Sequence, residues 1–211
     1  MRRLRKFCLE RTMSEPLILA SGSAIRVQLL RDAGVVVETK PVDIDEGAIT
    51  AAMLAEDASG QDIADTLAEL KAQKVAMKLK GGLVLGADQV LIQGRELFGK
   101  PASMEVAGDH LRKLRGKTHQ LLSAAVIFED GAPVWRHVGR AQMIMRPFSD
   151  EFLENYLAEQ GEKILASVGC YMLEAGGAQL FSRIQGDYFS VLGLPLLEVL
   201  GFLRTRGICI E

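Results

Sequence analysis

Short runs of apolar residues and longer amphipathic stretches follow one another along the chain. Residues 17–20 form an apolar run that predicts a buried strand, and Ser21-Gly22-Ser23 after it predicts a turn and the start of a helix. A second strand is predicted at residues 35–38. The chain therefore opens with a strand, a turn of small residues and a helix.

The clearest helical pattern covers residues 61–80. Apolar positions recur there at intervals of four and three, on the stripe Ile63, Leu67, Leu70, Lys74 and Met77. This spacing predicts that Lys74 points to the side where apolar residues lie. Such a lysine can run its methylenes along the edge of a core, or it can hold its ammonium group in a binding site.

The rest of the pattern predicts strands and helices in alternation. The predicted elements are strands at 83–87 and 90–93, a helix at 103–114, a hairpin of 118–128 and 133–146 around Glu129-Asp130-Gly131, a helix at 149–160, a Gly-rich loop at 174–177, a strand at 180–185 and a helix from Pro195. Long strands mixed with helices predict a single-domain α/β fold, in which a mixed, twisted sheet is flanked by helices.

Composition narrows the class of protein. A chain of 211 residues with 48% hydrophobic residues can bury one good core, so we expect one domain. Its net charge of -2 lacks the broad positive field that nucleic acids attract, so no nucleic-acid partner is expected. A small anionic ligand needs only local positive charge and fits this balance better.

The ends and the cysteines bear on the compartment. Residues 1–12 are rich in Arg and Lys, but no apolar stretch of signal-peptide or transmembrane length follows them, so we predict a cytoplasmic protein without a membrane partner. Cys8, Cys170 and Cys209 are odd in number and widely spaced, as expected in a reducing compartment. We predict that residues 1–12 are an extension and that the domain covers 13–211.

The turn after the first strand is a candidate phosphate site. Helix N-termini present unpaired N–H groups and a partial positive charge, so Ser21-Gly22-Ser23 could cradle a phosphate group. Arg26, on the first turn of the helix, could add a two-pronged guanidinium contact. Ordinary helix capping explains the same turn.

Asp88 is the leading candidate for chemistry. It follows the apolar run LVLGA, so we predict that it ends a strand, beside a Gly-Ala pair that leaves room for a ligand. An aspartate there can ligate a hard divalent cation or take a proton from water, and a turn aspartate bonded to nearby N–H groups is the alternative. Glu46 is a possible second metal ligand, with Asp43 as a further candidate in an otherwise solvated acidic stretch.

Two observations complete the candidate chemistry. Lys100 lies between a predicted strand and a helix, where it could meet phosphate or remain a solvated loop residue. The histidines His110, His119 and His137 share no spacing with acidic or cysteine residues, so we predict no zinc site and assign them no role.

These segments, taken in order, resemble the Maf family of nucleoside triphosphate pyrophosphatases. The resemblance rests on LILASGSAIRVQLL, VDIDEG, KAQKVA, GADQV, FGKP, LRGKTHQLLSAAVI and IQGDYFSVLGLPL, and it extends from Leu17 to Leu203. It implies a mixed α/β fold like that of the related inosine triphosphatases, usually dimeric. It also implies cleavage between the α- and β-phosphates, with Mg²⁺ or Mn²⁺, to a nucleoside monophosphate and pyrophosphate.

The resemblance also implies residue roles. Ser21, Arg26, Lys74 and Lys100 would hold the triphosphate, Asp88 would accept the proton, and Glu46 with Asp88 would place the metal ion. A related inosine or xanthosine triphosphate pyrophosphatase and a nucleotide-binding regulator of cell division remain alternatives.

Three positions bear on the choice of base. Gln89 and Glu174 resemble the branch that favours 7-methyl-GTP, whereas relatives that act on dTTP and UTP usually carry Thr and Gln there. A carboxylate can accept the N1 and N2 hydrogens of guanine together, but it would face carbonyl oxygens in thymine or uracil, a mismatch of about 1 to 3 kcal/mol. Ile25 matches neither branch, and it offers only apolar contact to a cationic ring.

Overall fold

The computed structural model describes residues 16–79 and 81–208, so the predicted extension at 1–12 lies outside the described residues. Its strands are β1 (Leu17–Leu19), β2 (Val37–Thr39), β3 (Leu83–Gln93), β4 (Glu96–Phe98), β5 (Thr118–Glu129), β6 (Ala132–Met145) and β7 (Phe181–Gln185). Its α-helices are α1 (Ala24–Asp32), α2 (Glu46–Ala55), α3 (Gly60–Ala76), α4 (Met104–Leu114), α5 (Asp150–Gln160), α6 (Tyr188–Val191) and α7 (Leu196–Thr205). Short 3₁₀ helices cover Gly161–Ala166 and Gly176–Leu180.

The strands form one mixed sheet, in the order β2-β1-β3-β5-β6-β7 with β4 paired to β3. β1 runs parallel to β2 and β3, and the remaining pairs are antiparallel. This confirms the predicted single-domain α/β fold around a mixed sheet. Within residues 16–79 and 81–208, we find no helix with the length and apolar character needed to cross a bilayer.

The central strand β3 corrects one prediction. Asp88 does not end a strand, because β3 continues from Leu83 to Gln93 without a break. The backbone pairing between β3 and β5 continues through Asp88, which lies opposite Ala124. This pairing keeps the backbone extended at Asp88 although the side chain is polar. On its other edge β3 pairs with β1 only at Val84 and Leu85. That edge therefore becomes free just before Asp88.

Helices cover both faces of the sheet. α3 packs on one face, against side chains that include Val84, Val90 and Ala124, and α1 and α7 pack on the other. The predicted hairpin is confirmed, with β5 and β6 joined by Asp130 and Gly131 at φ of 51° and 80°. Two consecutive residues at positive φ are typical of the tight turns that match strand twist. The far half of the hairpin packs against α4, α5 and the segment that follows α5.

Candidate functional site

A cavity of about 600 Å³ opens where β1 ends and β3 continues. Eight of the nine residues proposed from the sequence line it, and they come from five separate stretches of the chain: Ser21, Ile25, Arg26, Glu46, Asp88, Gln89, Lys100 and Glu174. Pockets of this size commonly bind ligands as large as a nucleotide or a drug. The ninth residue, Lys74, lies elsewhere.

Arg26 occupies the free edge of β3. It is only 8% exposed, and its Nη1 donates to the carbonyl oxygen of Ala87 at 2.8 Å, an acceptor that β1 no longer reaches. Nη1 also donates to Ser21 Oγ at 3.1 Å, and Nε donates to the carbonyl oxygen of Gly193 at 2.7 Å. The guanidinium group thus takes the place of a strand at this edge of the sheet, and three acceptors hold it in one orientation. Ser21 and Arg26 lie together, as the sequence predicted.

Lys71 bridges the two acidic residues of the pocket. Its Nζ donates to Asp88 Oδ1 at 2.5 Å and lies 2.6 Å from Glu46 Oε1. Gly86 permits this arrangement, because a Cβ there would lie 2.0 Å from the carbonyl oxygen of Ala68 on α3. The missing side chain lets α3 approach β3 closely, so that Lys71 reaches Asp88.

The predicted position of Lys74 is wrong. Lys74 is exposed, and its Nζ donates to the carbonyl oxygen of Asp43 at 2.5 Å, outside the pocket. Met77, on the same predicted stripe, is 76% exposed. The side of α3 that faces the sheet carries small residues instead, and its buried positions are Ile63, Ala64, Leu67, Ala68, Lys71, Ala72, Val75 and Ala76.

The spacing of large apolar side chains did not predict Lys71 as a site residue. Alanines recur every four residues at 64, 68, 72 and 76, and this row marks the face that packs closely against β3. Lys71 lies immediately before one of these alanines, in the segment KAQKVA. A lysine beside a row of small residues was the signal that could have found it.

Burial and charge act in opposite directions on the two carboxyl groups. Burial raises the pKa of Asp88, and the positive charges of Lys71 and Arg26 offset this only in part. Burial also raises the pKa of Glu46, but the hydrogen bond and charge of Lys71, followed by Lys100 and Arg26, outweigh it and lower that pKa. Three cations and two carboxylates meet at this end of the pocket, so its net charge is positive when both acids are ionised.

The other end of the pocket is formed by the segment between Lys163 and Glu174. Lys163 and Glu174 are exposed at its rim, whereas Val168 and Tyr171 are buried in its wall. Ile25, half-buried on α1, also lines the cavity. This end offers an apolar wall with charged groups only at the opening.

His119 supports that wall from behind. It is 1% exposed, and its Nε2 lies 2.8 Å from the hydroxyl oxygen of Tyr171. Burial lowers the pKa of His119 to about 4, so the ring is neutral near pH 7. His119 has no role predicted from the sequence, and nothing in its spacing indicates this contact.

The carboxylates fit one kind of metal site. Across the described parts of the chain, no three His, Cys, Asp or Glu side chains are grouped as a ligand set for a metal ion. Glu46 and Asp88 form a pair, and Asp43 does not line the cavity. Mg²⁺ is often held by only one or two carboxylates together with the phosphates of a substrate. The pair suits an ion that brings phosphate ligands with it.

The chain is similar to known proteins over most of its length. Residues 16–206 match the family model described as Maf-like protein. The chain is 53% identical over 197 residues to a nucleoside triphosphate pyrophosphatase of Ruegeria pomeroyi, covering 93% of this chain and 98% of that protein. It is 51% identical over 195 residues to a 7-methyl-GTP pyrophosphatase of Mesorhizobium japonicum, covering 92% and 98%. A protein of Rhizobium etli with the latter name is 45% identical over 195 residues, with the same coverage.

Proposed function

Because the chain belongs to the Maf-like protein family, we propose that its pocket binds a nucleoside triphosphate and releases pyrophosphate, leaving the nucleoside monophosphate. The chain is an enzyme of the nucleoside triphosphate pyrophosphatase class, as its relatives of about half identity are named. The observation that carries the proposal is the buried Asp88 beside Arg26 and Lys71 in a cavity of about 600 Å³.

The cations suit a polyphosphate chain. Arg26 is held by three acceptors, and Lys71 and Lys100 both line the pocket and both act electrostatically on Glu46. Side chains of this kind neutralise the oxygens of a phosphate group and stabilise the charge that develops as the bond between phosphates breaks. We assign the triphosphate to Ser21, Arg26, Lys71 and Lys100, with Lys71 in place of the predicted Lys74.

Asp88 is the group that we assign to proton transfer. The residue is 6% exposed and lines the cavity together with the cations. A carboxylate in this position can accept a proton from a water molecule that attacks phosphorus. Lys71, bonded to Asp88 at 2.5 Å, keeps the carboxylate in a fixed orientation.

A divalent cation, Mg²⁺ or Mn²⁺, is part of the proposal. Glu46 and Asp88 would hold it, because their carboxylates come together around Lys71 at the phosphate end of the pocket. Such an ion supplies positive charge that polarises phosphate oxygens. A triphosphate carries more negative charge than the net charge of this end of the pocket neutralises, and an ion arriving with the nucleotide would reduce that difference.

For the base, we propose a guanine-type nucleotide such as 7-methyl-GTP. Glu174 stands at the rim of the apolar end, where a carboxylate can accept paired N–H groups from guanine. Two relatives of 51% and 45% identity carry the name 7-methyl-GTP pyrophosphatase, which supports this choice. The predicted homodimer and cytoplasmic location stay predictions.

Pyrophosphate release from a panel of triphosphates tests the proposal. The panel contains 7-methyl-GTP, GTP, ITP, XTP, dTTP and UTP, each assayed with Mg²⁺ and with Mn²⁺ and again with a chelator. We expect activity that requires the ion and a kcat/KM highest for the guanine-type bases. Preference for dTTP and UTP, or for ITP and XTP, would contradict the base assignment, and the absence of pyrophosphate from every triphosphate would contradict the proposed activity.

A further inference from the structure

Gln89 lines the pocket, but the N–H groups of its side-chain amide donate hydrogen bonds to other parts of the protein. Its Nε2 donates to Ser123 Oγ at 2.9 Å and to the carbonyl oxygens of Ser190 and Val191, each at 3.1 Å. An amide nitrogen has two hydrogens, and three acceptors here compete for them. A base in the pocket therefore meets an amide whose N–H groups are already directed into the protein.

Ser123 completes the contact from the neighbouring strand. It lies opposite Gln89 in the ladder of β3 and β5 and is fully buried. Its Oγ donates to the carbonyl oxygen of Ser190 at 2.7 Å. Ser123 does not line the pocket. Gln89 and Ser123 thus both donate hydrogen bonds to the carbonyl oxygen of Ser190, near the C-terminal end of α6. We call these two residues the clamp.

The segment that the clamp holds leads directly to Arg26. Two residues after Val191 comes Gly193, at φ of 100°, and its carbonyl oxygen accepts from Arg26 Nε at 2.7 Å. A Cβ at Gly193 would lie 3.4 Å from Arg26 Nη2 and 3.7 Å from Gln89 Oε1. The turn is therefore packed against the guanidinium group, and glycine meets both the positive φ and the close approach.

We propose that Gln89 and Ser123 are positioning residues that act through Gly193 on Arg26. By fastening the turn Ser190–Gly193 to the sheet, the clamp sets the orientation in which Arg26 meets a phosphate group. The clamp thereby governs affinity for the triphosphate moiety, whatever base is attached. This inference rests on the proposed function, and it departs from the assignment of Gln89 to base choice that the sequence suggested.

Two substitutions remove the clamp without adding charge. Gln89→Met keeps the length of the side chain and loses its donor, and Ser123→Ala loses the hydroxyl group at a position outside the pocket. The probe is inorganic tripolyphosphate, which has no base, and its binding is measured by calorimetry with Mg²⁺ present. We expect each variant to weaken that binding by about five- to tenfold, as loss of a buried hydrogen-bond network does.

The second measurement is kcat/KM across the triphosphate panel. Each clamp variant is expected to lower kcat/KM for every base by the same factor, so that the order of preference is unchanged. Glu174→Gln serves as the matched control at the base end, and we expect it to leave tripolyphosphate binding unaltered. If Gln89→Met instead reorders the bases and binds tripolyphosphate as the wild type does, Gln89 reads the base and the inference is overturned.

A double-mutant cycle separates positioning from a general loss of structure. In an Arg26→Lys background, the fixed guanidinium contact is gone, so Gln89→Met is expected to weaken tripolyphosphate binding no further. Additive losses would overturn the inference. If Gln89→Met does not fold by circular dichroism, Gln89→Asn takes its place, because its shorter amide retracts from the two carbonyl groups.

Different results would overturn the proposed function and the role of the clamp. A wild-type protein that neither binds tripolyphosphate nor releases pyrophosphate from any triphosphate would overturn the proposed function and the inference with it. A wild-type protein that does both, with clamp variants that bind tripolyphosphate unchanged, would overturn the inference alone.

Discussion

The two ends of the pocket are built in opposite ways. At the phosphate end, Arg26, Lys71 and Asp88 are each no more than 8% exposed, and every one is bonded to another side chain or to the backbone. At the base end, Lys163 and Glu174 are exposed at the rim of an apolar wall. The three buried charged groups, at the centre of the proposed chemistry, are fixed within the fold. Glu46 and Lys100 beside them are exposed, as are the groups that would select the base.

This difference has a physical consequence. Charges that are buried and bonded cannot be altered without leaving a partner unpaired, which costs more than losing an exposed contact. Exposed residues on a connecting segment tolerate substitution, and specificity commonly resides on such segments. We therefore expect changes at the phosphate end to lower turnover for every substrate, and changes at the base end to redistribute turnover among substrates.

The largest expected effect is that of Asp88→Asn. Without a proton acceptor, kcat for pyrophosphate release is expected to fall by about 100- to 10,000-fold. Tripolyphosphate binding should survive, because Lys71 retains Glu46 as a partner. The measurement is steady-state kinetics beside calorimetry. A variant that hydrolyses normally would remove Asp88 from the chemistry, and one that is inactive yet keeps every effect in cells would favour a nucleotide-binding regulator.

Lys71 and Lys74 offer a matched pair on one helix. Lys71→Met removes the cation between Asp88 and Glu46, and we expect kcat/KM to fall by about 10- to 100-fold, as for loss of a charged hydrogen bond. Lys74→Met removes an exposed lysine, and we expect a change of less than about twofold. The reverse order in the same assay would show that the lysine predicted from the sequence is the functional one.

His119 tests whether the base end has a buried support of its own. Its pKa is lower in the folded chain, about 4, than in the unfolded chain, so the unfolded state takes up the proton first as the pH falls. The stabilisation is complete above pH 6.5 and is lost toward pH 4. Between pH 7 and pH 5, this residue is expected to remove about 2 kcal/mol from the free energy of unfolding.

Urea denaturation at the two pH values measures that loss. His119→Gln keeps a polar partner for Tyr171 and cannot be protonated, so the difference between pH 7 and pH 5 should shrink by about 2 kcal/mol. The same comparison for His137→Gln shows how much the pH dependence of the free energy of unfolding changes when a different histidine is removed. An unchanged difference in His119→Gln would mean that the ring is not buried in its neutral form.

Glu174→Gln is expected to have a smaller effect than Asp88→Asn or Lys71→Met. Because Glu174 is exposed, solvent weakens its interactions, and we expect kcat/KM for guanine-type nucleotides to fall by only about fivefold. Values for dTTP and UTP should stay level or rise. Lys163→Gln, at the same rim, is the control for a change of charge there. Equal losses for every base would assign Glu174 to general binding instead of selection.

Local pattern was sufficient for much of the fold and the site. Alternation and turn residues predicted the hairpin of β5 and β6, and a small-residue turn predicted the start of α1 near Ser23. The same turn brought Ser21 and Arg26 together, because five residues across a helix start span a short distance. These features depend on neighbours in the sequence, so the sequence shows them directly.

The local sequence pattern could not predict contacts between segments that are distant along the chain. The polarity of Asp88 predicted the end of a strand, but its place in the middle of β3 depends on pairing with β5. The direction of the Gln89 amide depends on Ser123 and on the end of α6, which lie 34 and about 100 residues away. Nothing in the sequence around Gln89 indicates which way its amide turns.

The sequence by itself determined the mixed α/β class, the family and, among nine proposed site residues, eight that line the pocket. Only the tertiary structure decided which lysine of α3 enters it. A helix turns by about 100° per residue, so three positions separate an inward lysine from an outward one. The close approach of α3 to β3 at Gly86 sets that rotation, directing Lys71 to Asp88 and Lys74 to solvent.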